Sequence, residues 1–318
     1  MTIAQRGTTA SNLLAAYRCS LCGLCDGTCP CGLTPSSMFL SMRRVATERA
    51  VVDLKTYASW LNYERLGGSV LFRRYLIPEG STCVFFPGCA LPGARPDAVI
   101  SMFRKLRQVE PFIGLVLDCC GRISHDLGLS VRHETIFAGL SKRLRDKGIS
   151  RVLTSCPGCS KVLRKYGKDF EITSIYEVLS SSAPLPVCHP KASVVVHDPC
   201  PARSDNLQQR AVRQLVQSCG YQVEEMPQNG RTTRCCGQGG MVAASAPGVT
   251  NQASRVIAAE AAGKPIITSC ASCCETLSNV THVAHVVDLL TGTEFENRPL
   301  SSASRWFNRL KLRLSRIS

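Results

Sequence analysis

The fold of this chain is decided by the stretch Val84-Phe85-Phe86-Pro87-Gly88-Cys89, followed by Asp118-Cys119-Cys120-Gly121 and then Thr154-Ser155-Cys156-Pro157-Gly158-Cys159. The same pattern returns as Val194-Val195-Val196-His197-Asp198-Pro199-Cys200, Arg234-Cys235-Cys236-Gly237 and Thr268-Ser269-Cys270-Ala271-Ser272-Cys273. The intervals between the cysteine groups are 29 and 35 residues in the first copy and 34 and 33 in the second. Such self-similarity at matched spacing indicates a duplication.

Each copy alternates short apolar runs with helical patterns. Apolar runs lead into the single cysteine and into the C-x-x-C, and helical patterns follow the single cysteine. The apolar runs are Cys83 to Phe86, Ile149 to Leu153, Ser193 to Val196 and Pro265 to Ile267, and the helical patterns include Ala98 to Leu106 and Gln209 to Val216. This alternation predicts an α/β fold with parallel or mixed sheets and with cysteines at the carboxyl ends of strands, where ligand sites gather.

The chain of 318 residues divides into four predicted segments. Residues 1–80 are predicted to form a small α-helical ferredoxin-type domain, with a helix starting near Pro35. Residues 81–187 and 188–297 hold the two copies, and residues 298–318 form a basic amphipathic tail.

Nineteen cysteines indicate either a secreted disulfide scaffold or intracellular metal binding. The stretch from Met1 to Ala16 lacks the apolar region of a signal peptide, and no apolar run approaches the ~18 residues of a membrane span. We therefore expect a reducing, cytoplasmic location in which thiols stay free to bind metal.

The N-terminal run Cys19-x2-Cys22-x2-Cys25-x3-Cys29-Pro30 has the spacing of a bacterial ferredoxin motif and predicts a [4Fe-4S] cubane cluster. A zinc knuckle is the alternative, although zinc sites favour two separated pairs of cysteines. The fourth ligand stays open because the chain has one such run and no second ferredoxin cluster for Cys29 to serve. We favour Cys29 over nearby Cys31 and over four remote cysteines, which are Cys83, Cys188, Cys219 and Cys274.

Each copy supplies five thiols as a single cysteine, an adjacent pair and a C-x-x-C. Adjacent cysteines point in different directions, so a pair is better suited to bridging neighbouring irons than to holding one zinc. A vicinal disulfide and a zinc site are the competing interpretations. Gly121 and Gly237, which follow the pairs, are predicted to let the backbone approach a cluster and donate N–H bonds to it.

These residues resemble the duplicated CCG cysteine-rich domain of heterodisulfide reductases. The same domain occurs in the iron–sulfur subunits of glycolate, lactate and anaerobic glycerol-3-phosphate oxidation systems. The resemblance covers Cys83 to Leu290, and Cys19 to Pro30 adds the ferredoxin half of fused members, with one cluster run where those members have two.

The resemblance implies that five cysteines per copy hold a non-cubane [4Fe-4S] cluster that cleaves a disulfide in one-electron steps. One or two such clusters are expected here. The implied catalytic ligands are Cys89, Cys119, Cys120, Cys156 and Cys159 in the first copy and Cys200, Cys235, Cys236, Cys270 and Cys273 in the second.

The function expected from these sites is electron transfer in a heterodisulfide-reductase-like complex. Electrons would pass from the ferredoxin-type cluster through the CCG clusters to a disulfide or a membrane quinone, or in reverse from a partner dehydrogenase. No dinucleotide-binding glycine motif or P-loop is visible, so flavin or haem is expected on a partner subunit. The rival hypotheses are a zinc-binding structural protein and a metal-free dithiol oxidoreductase. Two histidines are expected to be structural or on the surface rather than ligands, namely His197 and His125.

The net charge of +15 indicates an anionic partner. In the tail, one third of a helical wheel carries Trp306, Phe307, Leu310, Leu314 and Ile317, with Leu312 outside this face and arginines beside it. A helix of this kind binds the inner face of a membrane peripherally or packs on its own protein or a partner, and the sequence leaves both open. Nucleic acid is not expected as a partner, because the basic residues form no recognised reading motif.

Overall fold

The structure is a computed structural model that describes residues 9–182, 192–293, 300–315 and 317. Its N-terminal region is helical, with helices α1 (Ala10–Ala15), α2 (Leu24–Thr28), α3 (Pro35–Glu48) and α4 (Ala58–Gly67). Helix α3 begins at Pro35 as predicted, because proline is preorganised for the first helical turn. Leu13, Tyr17 and Ala46 pack here with Leu127 from the first copy, which anchors the helical region to the rest of the chain.

The first copy contains a five-stranded sheet in the order β1-β3-β2-β4-β5. Its strands are β1 (Arg74–Leu76), β2 (Cys83–Phe86), β3 (Gly114–Leu117), β4 (Arg151–Thr154) and β5 (Glu171–Ser174). Its helices are α5 (Ala90–Ala94), α6 (Pro96–Val109), α7 (Arg122–Leu127), α8 (Ser130–Arg145), α9 (Pro157–Tyr166) and α10 (Ile175–Ser181). All neighbouring strands are parallel except β1, which is antiparallel to β3 and was not predicted from the sequence.

The second copy contains a four-stranded parallel sheet in the order β7-β6-β8-β9. Its strands are β6 (Ser193–His197), β7 (Gln222–Glu224), β8 (Ile266–Thr268) and β9 (Val283–His285). Its helices are α11 (Asn206–Ser218), α12 (Val242–Ser245), α13 (Pro247–Glu260), α14 (Ala271–Leu277) and α15 (Val286–Thr291).

The two sheets have the same topology once β1 is set aside, since β3-β2-β4-β5 and β7-β6-β8-β9 connect in the same order. The predicted α/β fold and the duplication are therefore confirmed. Helices α10 and α15 even begin with the same capping box, built on Ser174 with Glu177 and on His285 with Asp288.

The two copies share one apolar core. Phe85, Met102 and Tyr176 of the first copy belong to the same buried cluster as Val196 and Val287 of the second. Across the interface α6 packs on α15, and α10 packs on α11. Because α6 corresponds to α11 and α10 to α15, the copies meet through equivalent surfaces in an approximately two-fold arrangement.

The last helix, α16 (Ser302–Leu314), packs on α5 and α6 of the first copy. The predicted apolar face packs only in part: Ile317 is buried, and Trp306 and Leu310 are half-buried. Phe307 and Leu314 are 69% and 64% exposed, whereas Leu312, outside that face, is fully buried. The helix therefore packs on its own protein, which is one of the two expected roles, and membrane contact stays a prediction. The contact also includes the buried guanidinium of Arg309, which a hydrophobic pattern does not detect. Trp306 completes the contact by packing on the Tyr63 ring at 5.0 Å. No helix within the described ranges is both long enough and apolar enough to cross a membrane.

Candidate metal centres

The cysteines of each copy follow the carboxyl ends of its parallel strands. In the first copy Cys89 lies after β2, the Cys119–Cys120 pair after β3 and Cys156 after β4. Because parallel strands end at one edge of a sheet, residues that are far apart in sequence meet there. The second copy repeats this arrangement after β6, β7 and β8.

In the first copy the five thiols form two sets of contacts, which the adjacent residues Cys119 and Cys120 bring together. Cys120 Sγ lies 3.4 Å from Cys159 Sγ, and Cys159 is also hydrogen-bonded to Cys156. Cys119 forms a hydrogen bond with Cys89. The two adjacent thiols therefore contact different partners.

The second copy repeats the same pairing. Cys236 Sγ lies 3.3 Å from Cys273 Sγ, which is hydrogen-bonded to Cys270, and Cys200 Sγ lies 3.8 Å from Cys235 Sγ. The structure thus brings all ten predicted cysteines together as two equivalent five-thiol sites.

Thiol–thiol hydrogen bonds separate the pKa values within each site. The bond with Cys119 lowers the pKa of Cys89 and raises that of Cys119, with burial raising both. The bond with Cys159 lowers the pKa of Cys156 to about 6 against burial, and backbone N–H groups at the start of α9 add to the effect. The same kind of bond lowers the pKa values of Cys235, Cys236 and Cys270 and raises those of Cys159, Cys200 and Cys273. Lowered pKa values favour thiolates, which are the form that binds metal.

The glycines after the cysteine pairs have left-handed backbone conformations, with φ of +74° at Gly121 and +88° at Gly237. The Gly237 N–H donates to Cys235 Sγ at 3.3 Å, so this backbone does reach a site sulfur. A Cβ at Gly237 would lie 2.6 Å from Thr250 Cα. Sequence analysis missed Gly88, where φ is +79° and a Cβ would lie 3.2 Å from Cys159 Sγ.

The N-terminal cysteine run lies against the second site. The Cys22 thiol is hydrogen-bonded to Cys235, and the charges of Cys22 and Cys25 act on Cys19. Cys25 and Cys31 are exposed, whereas Cys29 is half-buried. The N-terminal run and the second site are therefore contiguous through the Cys22–Cys235 contact.

The remote alternatives for the fourth ligand lie elsewhere. Cys83 opens β2, at the end of the strand away from the cysteine edge, and Cys219 belongs to the shared core. Cys274 accepts a hydrogen bond from Arg95 at 3.1 Å. Cys188 lies outside the described residues. The choice of Cys29 therefore stays a prediction.

Arg43 fixes the N-terminal loop, and sequence analysis missed it. Its guanidinium is fully buried and donates hydrogen bonds to the carbonyl groups of Ala16, Cys19, Asp126 and Gly240. These four groups belong to the N-terminal region and to both copies. Arg43 thereby joins all three parts beside the cysteines.

Arg309 of α16 covers the first site. Its guanidinium donates to the Cys89 carbonyl at 3.0 Å and to the Gly67 carbonyl at 2.9 Å, and the Tyr63 hydroxyl donates to the same Cys89 carbonyl at 2.8 Å. The pKa of Arg309 is raised because the nearby Tyr63, Cys89 and Cys119 outweigh the effect of burial. The tail is thus part of the support of this site.

The two histidines each have a hydrogen-bond partner within the protein. His197 is buried, and its Nε2 lies 3.1 Å from the Arg234 carbonyl. His125 Nδ1 lies 2.8 Å from Asp126 Oδ1, and its ring lies edge-on to Tyr166.

The donor set is suited to iron–sulfur clusters. Soft thiolates select zinc, copper(I) or iron–sulfur centres, and five buried or half-buried thiols in one site exceed the four that a zinc ion takes. Within the described ranges, no group of three or more His, Cys, Asp or Glu side chains is arranged for a single metal ion.

Comparison with known proteins gives the same family for both copies. The family model described as CCG: Cysteine-rich domain matches residues 83–164 and 194–278. An uncharacterized iron-sulfur protein of Methanocaldococcus jannaschii is 30% identical over 259 residues, which are 74% of this chain and 50% of the relative. The chain therefore spans about half the length of the curated relative it matches.

Proposed function

We propose that this chain, which belongs to the CCG cysteine-rich domain family, is an electron-transfer subunit with three iron–sulfur sites. The family and the iron–sulfur relative both indicate a redox role. The observation that carries the proposal is the contact between Cys22 and Cys235, which makes the N-terminal run and the second site neighbours. When bound, such clusters supply one-electron storage and transfer.

The proposed ligands follow the three groups of thiols. Cys19, Cys22, Cys25 and Cys29 would hold a [4Fe-4S] cubane cluster. Each five-cysteine set would hold a non-cubane [4Fe-4S] cluster, with Cys89, Cys119, Cys120, Cys156 and Cys159 in the first and Cys200, Cys235, Cys236, Cys270 and Cys273 in the second. Gly121 and Gly237 would supply close backbone contact.

The order of the sites supports entry at the N-terminal run. Cys22 contacts the second site, and Cys270 of that site lies close enough to Cys156 of the first for their charges to interact. The three sites therefore lie in the order N-terminal run, second five-cysteine site, first five-cysteine site. A flavin or haem protein at the exposed Cys25 end would be the redox partner.

The substrate is proposed to be a disulfide or a membrane quinone, in a heterodisulfide-reductase-like role. The exposed Phe307 and Leu314 on the basic helix α16 would support peripheral contact with the inner face of a membrane. Reoxidation of the anaerobically reduced protein distinguishes the two substrates. Small disulfides should reoxidise it if the substrate is a disulfide, and a menaquinone analogue in liposomes should do so if the substrate is a quinone. Failure with both, also with candidate partner subunits present, would contradict the proposed function.

A further inference from the structure

Arg122 lies at the junction of the two five-thiol sites. It follows Cys119-Cys120-Gly121 directly and opens helix α7. Its Nε donates to Asp126 Oδ2 at 3.2 Å, and its side chain is 29% exposed. Its guanidinium lies beside Gly158, between Cys156 and Cys159 of the first site.

The Arg122 guanidinium is close to thiols of both copies. Its charge acts on Cys156 of the first site and on Cys200 and Cys270 of the second. Burial would lower the pKa of Arg122, but the charges of Asp126 and of these thiols outweigh it and raise that pKa. The group therefore stays cationic between two clusters of anionic ligands.

A glycine makes room for this side chain. A Cβ on Gly158, inside the C-x-x-C of the first copy, would lie 2.0 Å from Arg122 Nη1. Since contacts this short do not occur, the guanidinium would have to move away if position 158 carried any larger residue.

The second copy lacks both features. Gln238 follows Cys235-Cys236-Gly237 at the position of Arg122, and Ser272 stands at the position of Gly158. The Gln238 side chain instead accepts a hydrogen bond from Thr276 Oγ1 at 3.2 Å. At this position the duplicated fold thus carries one cation where its symmetry would allow two.

We propose that Arg122 is a positioning residue whose positive charge is shared by the two five-cysteine sites and favours the more negatively charged, reduced state of each. Reduction adds an electron to a buried site, and a nearby cation lowers the free energy of the product. Asp126 offsets part of this charge but is itself engaged by His125 at 2.8 Å. The proposal rests on the proposed function, because it requires iron–sulfur clusters at both sites.

The test is an EPR-monitored redox titration of the anaerobically purified full chain. Arg122→Gln should shift the midpoint potentials of both five-cysteine sites to lower values, and Arg122→Lys, which keeps the charge, should shift them less. Gly158→Ala should produce a downward shift by displacing the guanidinium. Arg145→Gln, which removes an exposed partner of Asp169, is the matched control and should leave both potentials unchanged.

Wild-type potentials in Arg122→Gln would overturn the inference, and a shift at only one site would overturn the shared role. Iron and sulfide analysis of each variant separates failure of this inference from failure of the proposed function. If wild-type protein lacks clusters, the proposed function fails. If Arg122→Gln loses its clusters, Gly158→Ala decides: lowered potentials at both sites support the inference, and unchanged potentials overturn it. Loss of clusters in both Arg122→Gln and Arg122→Lys would show a purely structural role.

Discussion

Arg43→Met should loosen the N-terminal cysteine loop far more than it affects the two sheets. The guanidinium is completely buried and donates five hydrogen bonds to four carbonyl groups. The Ala16 carbonyl keeps the Cys19 N–H as a donor, whereas the Cys19, Asp126 and Gly240 carbonyls lose the guanidinium. Each carbonyl left without a donor costs about 1 kcal/mol or more, so the three together cost about 3 kcal/mol. Methionine fills much of the volume but donates no hydrogen bond, which isolates this effect from that of a cavity.

A loss of about 3 kcal/mol raises the population of the locally opened segment about 10²-fold, since every 1.4 kcal/mol is a factor of ten. Hydrogen exchange measured by mass spectrometry on the intact chain should show this as faster exchange in residues 10–48, with strand β4 unchanged. Arg44→Met, one residue further on α3 and only half-buried, is the control. Unchanged exchange in Arg43→Met, or equal acceleration in the control, would refute the reasoning.

Two further pairs of variants test the site turn and the tail. Gly237→Ala should lower the iron content, because its Cβ would lie 2.6 Å from Thr250 Cα, whereas Gly263→Ala has a similar left-handed φ of +78° but open space and should keep its iron. Equal iron in both variants would contradict the role of this turn. Leu312→Ala, at a fully buried position, should cost about 2–5 kcal/mol and lower the melting temperature. Leu314→Ala, at 64% exposure, should stay within about 0.5 kcal/mol, and equal melting temperatures would contradict the docking of α16.

The sequence predicted those parts of the fold that depend on local patterns of apolar residues and cysteines. Strands β2 and β6 are continuous apolar runs because they are buried on both faces of a parallel sheet, and each ends just before its first cysteine. The duplication supplied a check on each cysteine, since Cys120–Cys159 and Cys236–Cys273 repeat one contact. Strand β1 has three half-buried residues and too short a pattern to be recognised.

The arginines that organise the sites could not be predicted in this way. Arg43 bonds Gly240 across 197 positions, and Arg309 bonds Cys89 across 220. In the sequence, each of these arginines looks like an ordinary basic residue on a helix. Its hydrogen-bond acceptors are backbone carbonyl groups, which every residue has, so no sequence motif marks them. The tail shows the same limit: a helical wheel counts apolar residues and leaves Arg309 and Leu312 outside its apolar face, whereas this helix docks through both.

The sequence contains a weak indication of the role of Arg122, but this indication can be interpreted only with the structure. The two copies differ at Arg122 and Gln238 and again at Gly158 and Ser272, and the sequence shows both differences. That the two changes belong together follows only from the 2.0 Å approach of a Cβ at position 158 to the guanidinium. Paired departures from an internal repeat are therefore a place to search for function in duplicated chains.

The most direct test of the central claim is analysis of iron, acid-labile sulfide and zinc in anaerobically purified full-length protein, with EPR of the reduced and oxidised forms. We predict a coloured protein with about eight to twelve iron atoms and as many sulfides per chain, depending on whether one or both five-cysteine sites hold a four-iron cluster beside the N-terminal one. We also predict distinct cubane and non-cubane signals. A colourless protein with stoichiometric zinc, or one with titratable free thiols and no metal, would contradict the claim.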